Sequence, residues 1–427
     1  MLQRIYQAYL QSRVVCTDSR AITPGCVFFA LQGESFDAGA FVPQALESGA
    51  ALCVTSWRQY QDDPRCVVVD DVLSTLQQLA REHRRHLDIP VVGITGTNGK
   101  TTTKELVHAV LSQRYRTSAT RGNFNNHLGV PLTLLAIPQS TEVAIVEMGA
   151  NHPGEIAFLC GIADPGMGLI TNVGRAHLEG FGSFEGVVRT KTELYRHLQA
   201  KQGLVFVNAD NPTLMRHADG LNCLSYGSSP QADIHGSHVA DTPFMKFCFE
   251  VGDKVYPVQT HLLGAYNFDN CMAAVAVGIR FGVEPWDIKE AIESYVPSNQ
   301  RSEYRETSRG NRLYLDCYNA NPSSMAAAIA SFKSMGGTMA IIGGMHELGS
   351  EERNEHERLV QQLDDCHLEK CLLVGAEFDG LALSPCMHRF PDTRALRQWL
   401  EEHPASGATI LVKGSNTNRL WTLEDLL

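Results

Sequence analysis

Thirteen residues from Val91 to Thr103 run from an apolar stretch through a glycine-rich turn, Gly96-Thr97-Asn98-Gly99-Lys100-Thr101-Thr102, into a helical pattern. Backbone N–H groups of such a turn, together with the N-terminus of the following helix, can cradle phosphates. The Lys100 ammonium can reach the terminal phosphates, and the Thr101 hydroxyl can bind Mg²⁺. The strict spacing G-x-x-x-x-G-K-S/T is not met, because Ile94 stands five residues before Gly99 and the loop is shorter. The alternative is an ordinary strand-to-helix turn with an exposed lysine. Glu147 closes the next apolar run, Ala144-Ile145-Val146. A carboxylate at the C-terminal end of a strand beside a phosphate loop can hold Mg²⁺ directly or through water. His177 and Lys191 follow the third apolar run; taken alone, His177 reads as a structural histidine.

The elements that carry these residues alternate. Short apolar runs within 91–94, 143–146, 169–171 and 204–208 are separated by helical patterns near 102–111 and 154–160. Strands of this kind imply a parallel sheet covered on both faces, with ligands at the strand C-terminal ends. Before them, 14–69 reads as a small α/β unit, and a helix over 72–87 ends at Asp88-Ile89-Pro90. After a helix at 267–281, the polar run Pro297-Ser298-Asn299-Gln300-Arg301 reads as a linker. Beyond it strands at 312–317, 339–342, 370–374 and 409–412 alternate with helices at 324–334, 354–364 and 393–403. The expected fold is therefore α/β in three domains: 1–88, 89–298 and 299–427.

Composition limits the classes. A chain of 427 residues is too long for one compact core, and 44% hydrophobic with 19% charged residues argues against global disorder. The net charge of −11 opposes binding of a nucleic-acid backbone, so an anionic ligand must be held by local devices. The 12 cysteines form no C-x-x-C pair, as expected for reduced thiols in the cytoplasm. No run approaches the roughly 20 apolar residues of a membrane span.

Together these segments resemble the ATP-dependent Mur ligases of peptidoglycan synthesis, within a wider family that includes folylpolyglutamate synthase. The shortened 96–101 loop is that family's form. Further similar runs are Gly122-Asn123-Phe124-Asn125-Asn126-His127, Glu147-Met148-Gly149-Ala150-Asn151-His152, Asn172 to Glu179, and Gly264 to Asn270. Asp316-Cys317-Tyr318-Asn319-Ala320-Asn321-Pro322 is similar to the D-S-Y-N-A-N-P signature of the branch that adds D-Ala-D-Ala. The sister branch, which adds diaminopimelate or lysine, would carry D-Y-A-H-T-P-D there. The run Thr17-Asp18-Ser19-Arg20 is similar to the family's uridine-nucleotide domain, which the first domain is expected to be. The third domain is expected to be Rossmann-like. Two runs depart from the pattern: Gly343-Gly344-Met345-His346-Glu347-Leu348-Gly349 stands for G-D-M-x-E-L-G, and Lys413-Gly414-Ser415-Asn416-Thr417-Asn418 for K-G-S-R-G.

The resemblance implies that ATP, UDP-MurNAc-tripeptide and D-Ala-D-Ala give UDP-MurNAc-pentapeptide, ADP and phosphate through an acyl phosphate. It implies Lys100 at the β/γ-phosphates and Gly96, Thr97, Asn98, Gly99, Thr101 and Thr102 around them. Asn270 falls at the adenine, and Arg301 and Asp316 come over from the third domain. Thr101, Glu147, His177 and a carbamylated Lys191 serve two Mg²⁺ ions. Ser19, Arg20, Asn125, Asn126, Tyr318, Asn319 and Asn321 are assigned to the substrates. The plainer reading of Asn319 and Asn321 is turn formation before Pro322, and that of Lys191 an ammonium paired with a phosphate or Glu193. A cytoplasmic monomer is expected. The amino-acid-adding activity, or a non-catalytic ATP-responsive regulator of the same fold, stands as the alternative.

Overall fold

A computed structural model describes residues 1–33, 36–241, 243–297 and 301–427. The expected boundary at 298, and Ser298, Asn299 and Gln300 of the linker, lie outside the described residues. Among the described residues three sheets follow one another along the chain. The first, β1 (Val15–Cys16), β2 (Val27–Phe29), β3 (Leu52–Thr55) and β4 (Cys66–Val68), is parallel and runs in chain order. The helix Val72–Arg85 comes next. Asp71 Oδ1 caps it by accepting from Ser74 N at 3.0 Å, and Val72, Leu76, Leu79 and Ala80 form its buried face.

The central sheet has nine strands: β5 (Val91–Thr95), β6 (Thr117–Ala119), β7 (Val143–Glu147), β8 (Met167–Ile170), β9 (Leu204–Asn208), β10 (Cys223–Gly227), β11 (Ile234–Ala240), β12 (Lys246–Val251) and β13 (Lys254–Gln259). Their order is β13-β12-β11-β10-β9-β8-β5-β7-β6. Every residue of β5, β7 and β9 is buried, as apolar strands covered by helices on both faces must be. From β5 the chain moves to β6 and β7 on one side, then crosses to β8 and β9 on the other. The C-terminal end of β5 is thus the point where the winding reverses, and a ligand crevice is expected there. The phosphate-loop sequence lies at that point. The hairpin β11–β12–β13 is antiparallel and was not expected from the sequence.

The third sheet comprises β14 (Glu303–Glu306), β15 (Arg312–Asp316), β16 (Met339–Gly343), β17 (Lys370–Val374), β18 (Met387–Phe390) and β19 (Thr409–Lys413), in the order β14-β15-β19-β16-β17-β18. Among the described residues of this sheet β14 alone pairs antiparallel. Its C-terminal ends bring Asp316, Gly343 and Lys413 together. The helix Pro322–Ser334, with proline at its first turn and Asn321 as cap, leads from β15 to β16. Among the described residues no helix is long and apolar enough to cross a membrane.

Candidate active site

A cavity of about 670 Å³ opens between the central and third sheets. From the central side it is lined by Thr97, Asn98, Gly99, Lys100, Thr101, Thr102, Asn125, Asn126, Glu147, His177 and Asn270; from the third side by Arg301, Asp316, Tyr318, Asn319 and Lys413. Gly96, Lys191 and Asn321 lie just behind this lining. Ser19 and Arg20 lie away from it after β1, where the Arg20 guanidinium pairs with Asp18 at 2.7 Å.

The loop conformation explains its glycines. Gly96 (φ +147°) and Gly99 (φ +76°) have backbones that side chains disfavour. A Cβ on Gly96 would also stand 1.9 Å from Thr171 Oγ1. Asn270 braces the loop from beneath: its Oδ1 accepts from Thr103 at 3.0 Å, its Nδ2 donates to Asn267 at 2.9 Å, and a Cβ on Gly99 would meet it at 2.5 Å. Lys100 Nζ donates to the carbonyls of Gly96 and Thr97 at 2.9 and 3.0 Å. Burial lowers the pKa of this ammonium, Glu147 opposes that shift, and Arg301 adds to it.

Glu147, 1% exposed, accepts from Thr101 Oγ1 at 3.0 Å and from Asn125 Nδ2 at 2.8 Å. A hydroxyl and a carboxylate held this way are hard oxygen donors of the kind Mg²⁺ takes. Among the described residues no three His, Cys, Asp or Glu side chains form a ready metal cage. One hydroxyl beside one carboxylate suits an ion whose remaining positions phosphate oxygens and water complete. Asn126 lines the cavity with its side-chain Oδ1 already accepting from Leu128 N and Gly129 N, just ahead of the helix Gly129–Leu135.

His177 adopts φ +50°, and its Nδ1 meets the carboxylate of Glu347, in the loop after β16. Burial lowers its pKa and the bond to Glu347 opposes the shift. Lys191 is 2% exposed; its Nζ donates to Ala150 O at 3.2 Å and lies 5.3 Å from the Phe181 ring centre. Burial first, then Lys100, pull its pKa well down. Glu193 is engaged elsewhere: it accepts from Gly154 N and Ala157 N at 2.9 and 2.8 Å and so anchors the helix Glu155–Ala163.

Across the cavity the Arg301 guanidinium stacks 3.6 Å over the Tyr318 ring. Asp316 pairs with Lys413 Nζ at 2.5 Å, and the same ammonium donates to Asn319 O at 3.2 Å. Lys413, only 1% exposed, has no role in the sequence reading. The signal available was a lysine ending the apolar strand Thr409-Ile410-Leu411-Val412. Glu347 and Ser323, which meet the loop after β8 at His177 and at Arg175 N, likewise carry no role that the sequence suggests.

The arrangement has relatives. Residues 94–278 match the family model of the Mur ligase middle domain, and residues 300–416 that of the Mur ligase glutamate ligase domain. The UDP-N-acetylmuramoyl-tripeptide–D-alanyl-D-alanine ligase of Bacillus subtilis is 34% identical, over 95% of this chain and 91% of its own. A crystal structure of MurF from Acinetobacter baumannii superposes with a TM-score of 0.89 at 30% identity, over 100% of this chain and 98% of that one. MurF ligase from Thermotoga maritima, solved in complex with ADP, gives 0.87 at 28% identity, over 98% and 97%. The chain belongs to the Mur ligase family of ATP-dependent ligases.

Proposed function

We propose that this chain joins D-Ala-D-Ala to UDP-MurNAc-tripeptide, acting as a cytoplasmic monomer of three domains, 1–88, 89–298 and 299–427. The carrying observation is the single cavity in which Lys100 and Glu147 face Arg301, Asp316 and Tyr318 of the D-C-Y-N-A-N-P run. Full-length similarity to ligases of that name supports the same reading.

A carboxylate is a poor electrophile at neutral pH. The tripeptide carboxylate takes the γ-phosphoryl group of ATP, ADP leaves, and the dipeptide amine then displaces phosphate through a tetrahedral intermediate. Anions must be brought together for this, so the residues' work is alignment and charge screening. Lys100 turns from its loop carbonyls to the β/γ-phosphates. Thr101 would hold one Mg²⁺, and Glu147, His177 and Lys191 would serve the second; the metal would supply charge neutralisation. Carbamylation would convert the buried Lys191 amine into an anionic oxygen ligand. Arg301 stabilises the transferred phosphoryl group. Asp316, held by Lys413, receives the dipeptide ammonium beside Tyr318 and Asn319, and the ammonium gives a proton to solvent before its amine attacks. Asn270 lies toward the adenine, Ser19 and Arg20 toward the uridine nucleotide, and Asn125 and Asn126 toward the tripeptide.

Phosphate release with ATP and Mg²⁺ tests the reading. Release is expected only when UDP-MurNAc-tripeptide and D-Ala-D-Ala are both present, with a product heavier by one dialanine. Release driven by a single L-amino acid would favour the sister activity, and ATP binding without release a regulator.

A further inference from the structure

The tip of the phosphate loop is held by two different sheets. Asn98's backbone belongs to the central one: its N–H donates to Asn172 Oδ1 at 2.9 Å, and its carbonyl accepts from Thr171 Oγ1 at 2.6 Å and Asn172 Nδ2 at 3.1 Å. Its side chain belongs to the third. Asn321 Nδ2 donates to Asn98 Oδ1 at 2.7 Å, and Asn98 Nδ2 donates back to Asn321 Oδ1 at 3.3 Å. The orientation of Asn321 is fixed independently, because the same Oδ1 accepts from Ser324 N at 2.9 Å as the cap of the helix Pro322–Ser334. Its Nδ2 must then face Asn98. Asn321 is 4% exposed and is not among the residues lining the cavity. The next residue but one, Ser323, accepts from Arg175 N at 2.8 Å, so the helix start meets the central sheet at two points.

We infer that Asn98 and Asn321 are a positioning pair through which the docked third sheet sets the tip of the phosphate loop, and that Asn321 does not bind the dipeptide. Its Oδ1 already accepts from Ser324 N and Asn98, its amide is turned to Asn98, and the buried side chain does not line the cavity. A ligand for the dipeptide would need a free donor or acceptor facing the cavity. The pair converts docking of the helix into a fixed Asn98 backbone, directly before the Gly99 and Lys100 amides that face phosphate. The inference rests on the proposed function only in taking this loop as the cradle of ATP.

Asn321→Ser separates the pair from the cap: serine caps a helix nearly as well but does not reach Asn98. Amide hydrogen exchange of the full-length variant, measured without any amine substrate, should be about tenfold faster over 96–101, with 322–334 as protected as before. Asn98→Ser should give the same change, and the double variant no more. In phosphate release, either single variant should lower kcat about tenfold and the double no further, with the D-Ala-D-Ala KM unchanged within about twofold. Unchanged loop exchange in Asn321→Ser, additive losses in the double variant, or a raised D-Ala-D-Ala KM in Asn321→Ser alone would overturn the pair. If Asn98→Ser does not fold, loop exchange in Asn321→Ser decides by itself. The exchange arm uses no amine, so a protein that ignored D-Ala-D-Ala would lose its proposed function while this inference was still tested.

Discussion

Lys191 has surroundings that suit an ammonium poorly. It is buried with one carbonyl acceptor and an aromatic ring beside it, and a second lysine, Lys100, lies near enough to depress its pKa. Desolvation and like charge both favour the neutral amine, which is the form that adds CO₂. Addition forms an N–C bond, releases a proton, and leaves an anion where a cation would have repelled Mg²⁺. If Lys191 acts as a carbamate, Lys191→Ala should lose activity by about two orders of magnitude or more and regain part of it with added short-chain carboxylates. Lys191→Arg, which keeps charge but cannot form the carbamate, should stay inactive. Phosphate-release rates with and without acetate decide this, and full activity in the arginine variant would sink the carbamate. Glu147 could be singled out in the sequence because it closes an apolar run beside the phosphate loop, and Lys191 only through the family resemblance. Lys413 could not be singled out, since nothing in a linear reading says that the ends of β15 and β19 are neighbours.

At the scale of elements, the departure at Gly344 has a steric account. Gly344 follows β16, and a Cβ there would lie 2.4 Å from Glu377 Oε2, whose carboxylate, after β17, fills that space. His346 Nδ1 lies 3.2 Å from the other oxygen, and Oε2 is buried without a hydrogen-bond partner among the described residues. An acidic side chain cannot be added at 344 while Glu377 stays where it is. Gly344→Asp should therefore destabilise the fold by about 1–3 kcal/mol through crowding and like charge, and Glu377→Ala in the same chain should relieve most of that. Urea midpoints of the single and double variants measure the coupling; additive losses would mean that the two positions do not compete. The departure could be read from sequence, but its partner 33 positions on could not. The parallel strands were legible as apolar runs. The hairpin β11–β13 was not, although β12 carries a period-two pattern, with Phe247 and Phe249 buried and Glu250 exposed between turns. Half-buried strands next to a parallel sheet have a weaker signal than fully buried ones.

In the whole molecule the first sheet shares one of its two apolar faces with the central unit. Its core residues Val27, Phe29 and Val54 belong to one apolar cluster with Leu134, Val146 and Leu159 of the central unit, joined through the helix Val72–Arg85. A sequence boundary near 88 falls just after that shared helix, since chain punctuation marks where an element ends and not what it packs against. Tyr9, from the helix Leu2–Ser12, donates its hydroxyl to Leu135 O of the central unit at 2.8 Å. His83 lies in this seam, 2% exposed, its ring edge-on to Tyr9 at 5.0 Å and its Nδ1 3.4 Å from the Tyr6 hydroxyl. Burial, with Arg13 and His86 adding to it, pulls its pKa from 6.5 down to about 4. Between those values the unfolded chain binds a proton at this histidine that the fold does not. Stability from this residue is therefore complete above pH 6.5 and falls, by up to about 1.4 kcal/mol per pH unit, as pH drops toward 4. His83→Phe keeps a ring against Tyr9 and has nothing to titrate. From pH 7 to pH 5 the native protein should lose about 1–2 kcal/mol more stability than this variant, measured by urea unfolding at each pH. Equal losses in the two proteins would mean that His83 accepts its proton within the fold at its ordinary pKa, and that the seam between the first and central units tolerates a charge.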